Sequence, residues 1–234
     1  MSYWFLVIFS MVIGFGAQAY INSAYRKYSK VPNATGLTGA QVARRMLDDN
    51  GLQNVEVQRV AGTLSDHYDP RTRVVRLSEG IYDSTSVSAM AVACHECGHA
   101  VQHARSYVPM SVRSALVPIA NFGSSAWLIA IIIGFFLNMM SLVWVGIVLY
   151  AFAVLFHVVT LPVEFNASHR GLTYIKGDTG SSIVRVGAGI GGVPDQARSG
   201  ARTVLTAAAL TYVAGALTSV MQLLYFIGLA QGNE

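Results

Sequence analysis

The chain has 234 residues, of which 53% are hydrophobic and only 12% charged, with a formal net charge of +4 at pH 7. A soluble domain carries about 25% charged residues, so this composition excludes an ordinary soluble protein and points to one that spans a membrane. The basic surplus is not a nucleic-acid footprint, because no basic stripe interleaved with aromatics occurs.

The first element, residues 1–25, holds no charge and includes YWFLVIFSMVIGFGAQAYI at 3–21. About 20 apolar residues cross a bilayer, so this is one span. Its basic residues (Arg26, Lys27, Lys30) follow the apolar run instead of preceding it, which reads as a retained anchor and not a cleaved signal. Residues 26–113 then read as a small α+β unit. TGAQVARRMLDDNGL (38–52) has Val42, Met46 and Leu47 at helical spacing, and Gly51 where a helix would stop. VEVQRVAG (55–62) alternates like a half-buried strand, SDHYDP (65–70) reads as a turn, and TRVVRLS (72–78) as a second strand. A helix is expected over 84–104.

Residues 114–163 contain no Asp, Glu, Lys or Arg and divide near Asn138, giving two spans of about 116–137 and 142–161. A segment at 164–202 follows, with five glycines between 186 and 200, and reads as loosely structured. The uncharged run 203–233 supplies the last span, within 203–234. The expected architecture is a mainly α membrane protein of four transmembrane helices plus a small α+β unit between the first two spans.

All 16 Lys and Arg fall in 26–113 or 170–202. With four spans these two regions share one side, which the positive-inside rule makes cytoplasmic, so both termini face outward. The sequence pI of about 9.2 follows from this orientation. Gly146 and the Gly-Ala pairs in the spans permit close helix packing within or between chains, which leaves an oligomer open.

The chemistry concentrates in ACHECGHAVQHA (93–104). At about 100° per residue, with His95 at zero, His99 falls near 40°, Gln102 near −20°, His103 near 80° and Glu96 near 100°. Cys94 and Cys97 point away with Ala93 and Ala100, so a Cys/His clip is ruled out. A disulfide between them is also disfavoured by their three-residue spacing and cytoplasmic side. His95 and His99, one turn apart on one face, suit two imidazoles on one tetrahedral Zn²⁺, and Glu96 stands where a general base would touch the attacking water. This is the H-E-x-x-H pattern. Between Asp83 and Glu164, Glu96 is the only acid, and a carboxylate placed among apolar residues needs a reason. Gly98, on the ligand side, would admit a substrate or strand.

Such a site needs a third protein ligand. LPVEFNASHRG (161–171) offers Glu164, the first charge after the long apolar stretch and on the same side as HECGH. A solvated helix cap is the plainer reading of that glutamate; its match to the missing ligand favours coordination.

These motifs together, HECGH preceded by DHYDPRTRVVRLSEGIY (66–82) and followed by LPVEFNAS (161–168), with ALTYVAGAL (209–217) in the last span, resemble the YugP-type neutral zinc metallopeptidases of bacterial membranes. The resemblance covers nearly the whole chain. It implies a membrane gluzincin in a bacterial plasma (inner) membrane, with a zincin-like catalytic unit. One Zn²⁺ per chain would be held by His95, His99 and Glu164, with Glu96 as catalytic base. The E-F-x-A-S run is also similar to the E-x-x-A-D run of HtpX-type membrane proteases, which gives Ser168 the position that supports a zinc-bound histidine. The chain departs from the family pattern at Asn166, where Asp is expected, and at GAGIGG (187–192), where a charged segment is expected.

The implied activity is zinc-dependent peptide hydrolysis, with a peptide or protein substrate. By resemblance to gluzincins, the strand at 72–78 could pair with an extended substrate. His67, Tyr68, His169 and Arg170 are candidates to stabilise the oxyanion. His103 reads as a residue outside the ligand set, and His157, within the third span, as functional or as a helix-to-helix hydrogen bond. The competing reading is a non-catalytic metal-binding or sensing membrane protein, which has no need of Glu96. A haem bundle lacks a histidine partner for His157, and a metal transporter would want acids at mid-membrane depth.

Overall fold

A computed structural model describes residues 3–177 and 189–232. Residues 178–188, which include part of the glycine-rich stretch expected to be loose, lie outside the described residues. The elements in order are α1 (Tyr3–Tyr28), α2 (Gly39–Asp49), β1 (Glu56–Val60), β2 (His67–Asp69), β3 (Val74–Ser78), α3 (Glu79–Tyr82), α4 (Val87–Ala104), α5 (Val108–Phe136), α6 (Met140–Lys176) and α7 (Asp195–Gln231). The protein is mainly helical with a small mixed sheet. Four helices (α1, α5, α6 and α7) are long and apolar enough to cross a membrane.

The chain forms two compact units. One comprises Met1–Ala17, Val108–Pro162 and Leu210–Glu234; the other comprises Gln18–Tyr107 and Val163–Ala209. In the first, only 11–33% of the most apolar window of each long helix is buried by protein. Side chains such as Phe15, Phe122, Ile132 and Phe136 stay exposed, which is the pattern of a surface made for lipid. Inside this unit Trp127, Tyr150 and Phe226 pack as a ring cluster, and the Tyr150 hydroxyl donates to Gln222 Oε1 at 2.9 Å. His157 Nδ1 lies 3.1 Å from Ser219 Oγ, a bond between α6 and α7. A Cβ on Gly146 would meet Trp127 O at 2.8 Å; that glycine serves α5–α6 packing within this chain.

The second unit carries the site. The first turn of α2 is closed by a capping box, with Thr38 Oγ1 accepting from Gln41 N and Gln41 Oε1 from Thr38 N. It ends at Gly51, whose φ of 75° only glycine adopts freely, with Leu52 N donating to Leu47 O at 2.8 Å and Gly51 N to Asp48 O at 3.0 Å. Its apolar stripe of Val42, Met46 and Leu47 is fully buried against Val75 and Leu77 of β3 and Met90, Ala93, Cys94 and Cys97 of α4. Each of these larger side chains contributes about 1.5–3 kcal/mol by leaving water. The cysteines are thus core residues, free thiols whose pKa burial pushes up.

The sheet has the order β1-β3-β2, with β1 parallel and β2 antiparallel to β3. Two expectations change here. SDHYDP contains the short strand β2 as well as a turn: His67–Asp69 pair with Val74–Arg76, and the reversal comes one step later, where Asp69 accepts from Arg71 N and Thr72 Oγ1. β3 is therefore the central strand, paired on both sides, and Ser78 N donates to Asp66 Oδ1 at 2.7 Å. It has no free edge over Val74–Arg76 for a substrate strand. The part of 164–202 just after Glu164 is also not loose. It is the continuation of α6 to Lys176, because Val163, Ala167, Tyr174 and Ile175 all find burial in this unit.

Candidate metal centre

Helix α4 begins at Ser86, whose hydroxyl accepts from Ala89 N at 3.1 Å. From there a run of small residues buries all but one side of the helix. HECGH lies in its third and fourth turns and presents His95 and His99 from that side, their rings 4.8 Å apart and nearly perpendicular. Against it lies the segment of α6 that carries Glu164. Glu164 Oε2 is 3.2 Å from His95 Nε2 and 3.6 Å from His99 Nε2. Among the described residues, these three can offer ligand atoms that all lie within 4.8 Å of one another.

The two spacings from Glu164 fit zinc. Ligand bonds of about 2.0–2.2 Å at tetrahedral angles put neighbouring donor atoms about 3.3–3.6 Å apart, close to the two distances observed. The donor chemistry fits as well, being two imidazole nitrogens and one carboxylate oxygen in a buried site. The far nitrogen of each ring is held: His95 Nδ1 is 3.1 Å from Ser168 Oγ, and His99 Nδ1 is 3.0 Å from Gln102 Oε1. Both Nε2 atoms are thereby left for the metal side.

Glu96 is 8% exposed and lies within electrostatic reach of His95, His99, Glu164 and Asp66. Burial raises its pKa above the ordinary carboxylate value, against the pull of the two histidines. A carboxylate with a raised pKa is a better proton acceptor. For His99 burial opposes the charged form, yet the hydrogen bond and charge of Glu164 leave its pKa raised. Two imidazoles gathered on one buried carboxylate form a site suited to a divalent cation.

A family model described as "Putative neutral zinc metallopeptidase" matches residues 3–231. The chain belongs to that family. It is also 44% identical over 227 residues, covering 97% of this chain and 96% of the relative, to "Putative membrane protease YugP" of Bacillus subtilis (strain 168). No solved structure matches it.

The other residues singled out in the sequence fall in several places. Ser168 lies against His95, its Oγ 3.1 Å from His95 Nδ1. His67 is exposed and occupied in its own turn, its Nδ1 2.8 Å from Ser65 O. The Tyr68 hydroxyl is 2.8 Å from His103 Nδ1, which places both residues where β2 passes α4. His169 is exposed on α6. Arg170 is buried, donates from Nε to Asn166 Oδ1 at 2.7 Å, and has Nη1 without a hydrogen-bond partner. Gln102 was visible in the sequence only as a residue on the ligand face, and Asn166 only as a departure from the family pattern. In the structure Gln102 Oε1 lies against His99, and Asn166 Oδ1 accepts from Gln102.

Gly98 does not admit substrate. A Cβ there would meet Ala167 O at 2.7 Å, and one on Gly171 would meet Cys94 C at 3.1 Å. Cys94 and Gly98 of α4 thus face Ala167 and Gly171 of α6, a crossing of small residues at four-residue spacing that brings the two helices close. Gly98→Ala is expected to cost about 1–3 kcal/mol through overpacking and to weaken zinc binding by displacing Glu164. Thermal unfolding of the metal-free protein and a zinc titration check this. No change in either would mean that the crossing does not hold α6 in place.

Proposed function

We propose that this protein is an integral-membrane zinc metalloendopeptidase of the HExxH gluzincin type, with His95, His99 and Glu164 holding one zinc per chain and Glu96 as general base. The observation that carries the reading is the meeting of both Nε2 atoms on one Glu164 oxygen at tetrahedral spacing, with a second buried carboxylate beside them.

Zinc supplies Lewis-acid chemistry at such a site, making water acidic near neutral pH and polarising a carbonyl. The residues do the rest. His95 and His99, fixed in orientation by Ser168 and Gln102, present their Nε2 lone pairs. Glu164 contributes negative charge from a second helix. Glu96 accepts the proton of the attacking water at its carboxylate and delivers it to the leaving amine. The burial of α4 keeps bulk water from competing. An extended substrate has the outer strands to add to, and β2 is favoured because Tyr68 ties it to His103 of α4.

The basic residues support the sidedness: residues 26–113 and 164–202 on the cytoplasmic face of a bacterial plasma membrane, spans at 1–25, 114–163 and 203–234, and both termini outward. The test is metal analysis of the purified protein together with casein cleavage, with and without chelator. Zinc near one per chain and chelator-sensitive cleavage are expected. Bound zinc without cleavage of any peptide would make the protein a metal binder instead.

A further inference from the structure

Gln102 is completely buried, and both ends of its amide are used. Oε1 lies 3.0 Å from His99 Nδ1. Nε2 lies 2.8 Å from Val163 O and 3.0 Å from Asn166 Oδ1. Asn166 Oδ1 also receives Arg170 Nε at 2.7 Å.

The directions of these bonds follow from groups that have no choice. A guanidinium can only donate, and a backbone carbonyl can only accept. Arg170 therefore fixes the oxygen of Asn166 towards itself. That oxygen and the Val163 carbonyl both require a donor from Gln102, so its NH₂ faces α6. The carbonyl of Gln102 is left facing α4, and His99 must supply the proton. His99 then carries hydrogen on Nδ1, which leaves Nε2, the atom that faces Glu164, as the nitrogen it can offer to a metal. Val163, the other anchor, is the residue immediately before Glu164.

We infer that Gln102 is a positioning residue of the metal centre: through one amide it holds His99 in the Nδ1–H form and fixes the register of α6 that brings Glu164 to it, with Asn166 and Arg170 setting the direction of the chain. The inference rests on the ligand set proposed above. It also gives Asn166 a role. An amide oxygen at that position serves both donors, and a carboxylate would serve them too, so exchange with aspartate leaves the chain of bonds whole. A leucine there leaves the buried Arg170 Nε and a Gln102 N–H without an acceptor.

The experiment compares Gln102→Met, Asn166→Asp and Asn166→Leu with wild type in detergent, by zinc competition against a chromophoric chelator and by NMR of ¹⁵N-histidine-labelled, zinc-loaded protein. Gln102→Met fills the same space with no hydrogen bonds. It is expected to weaken zinc roughly 10–100-fold and to speed exchange of the His99 Nδ1 proton. Asn166→Asp should bind zinc as wild type does, and Asn166→Leu should fall with Gln102→Met.

A folded Gln102→Met protein with wild-type affinity overturns the inference, and so does zinc bound through His99 Nδ1. Should Gln102→Met fail to fold, the Asn166 pair decides: equal affinities for Asp and Leu overturn the chain of bonds. Wild type that binds zinc and loses it on Glu164→Ala, while Gln102→Met binds normally, sinks this inference alone. Wild type that binds no zinc sinks the ligand set with it.

Discussion

Glu164→Ala is expected to empty the site of metal and abolish cleavage. Both imidazoles converge on a single oxygen of Glu164, so the substitution removes the one ligand that α6 supplies and the one negative charge in the set. Two histidines on one helix remain, with no third donor among the described residues close enough to replace it. The loss in affinity should exceed the roughly 10–100-fold typical of residues that only support a ligand. His99 loses the partner that raises its pKa, so its protonated form should become less favoured in the metal-free protein. Zinc content after dialysis, with a titration of the dialysed protein, checks the first point. Zinc held as tightly as in wild type would exclude Glu164 as a ligand.

Glu96→Gln should behave in the opposite way with respect to metal. The amide matches the carboxylate in size but cannot take a proton, and Glu96 is not one of the three convergent donors. Zinc should be retained while kcat/KM for peptide cleavage falls roughly 10²–10⁴-fold, the range for losing a general base. Replacing a buried carboxylate whose charged form is disfavoured by burial should not destabilise the metal-free fold. Undiminished cleavage would remove Glu96 from the mechanism. Loss of the metal would show that it acts on the ligands instead.

The parts of the protein visible in the sequence are those set by local rules. The apolar windows gave four long helices because length and hydropathy alone decide them. Val42, Met46 and Leu47 marked α2 and Gly51 its end, because helical spacing and caps act within a few residues. His95, Glu96 and His99 were legible because a helix fixes their directions. What the sequence hid depends on distant partners. β2 is only three residues long, and it exists because β3 offers it an edge. The helical state of Val163–Lys176 depends on burial in the core around α4, and the glycines further on drew the eye away from it. Gly98 read as room for substrate because a sequence shows that a side chain is missing, not which neighbour takes the space. Gln102 carried no signal beyond lying on the ligand face; its meaning comes from Val163 and Asn166, more than sixty positions away.

That distance sets a clock. Glu164 follows His95 by 69 positions, and the whole of α5 and most of the apolar part of α6 are made in between. At about 5–20 residues per second, a growing chain displays its two histidines and Glu96 for several seconds before the third ligand exists. On the proposed ligand set it has no hydrolytic power in that interval. A nascent peptidase is surrounded by unfolded segments, its own included, and on that ligand set this chain completes its site only after the stretches long and apolar enough to cross a bilayer have been made.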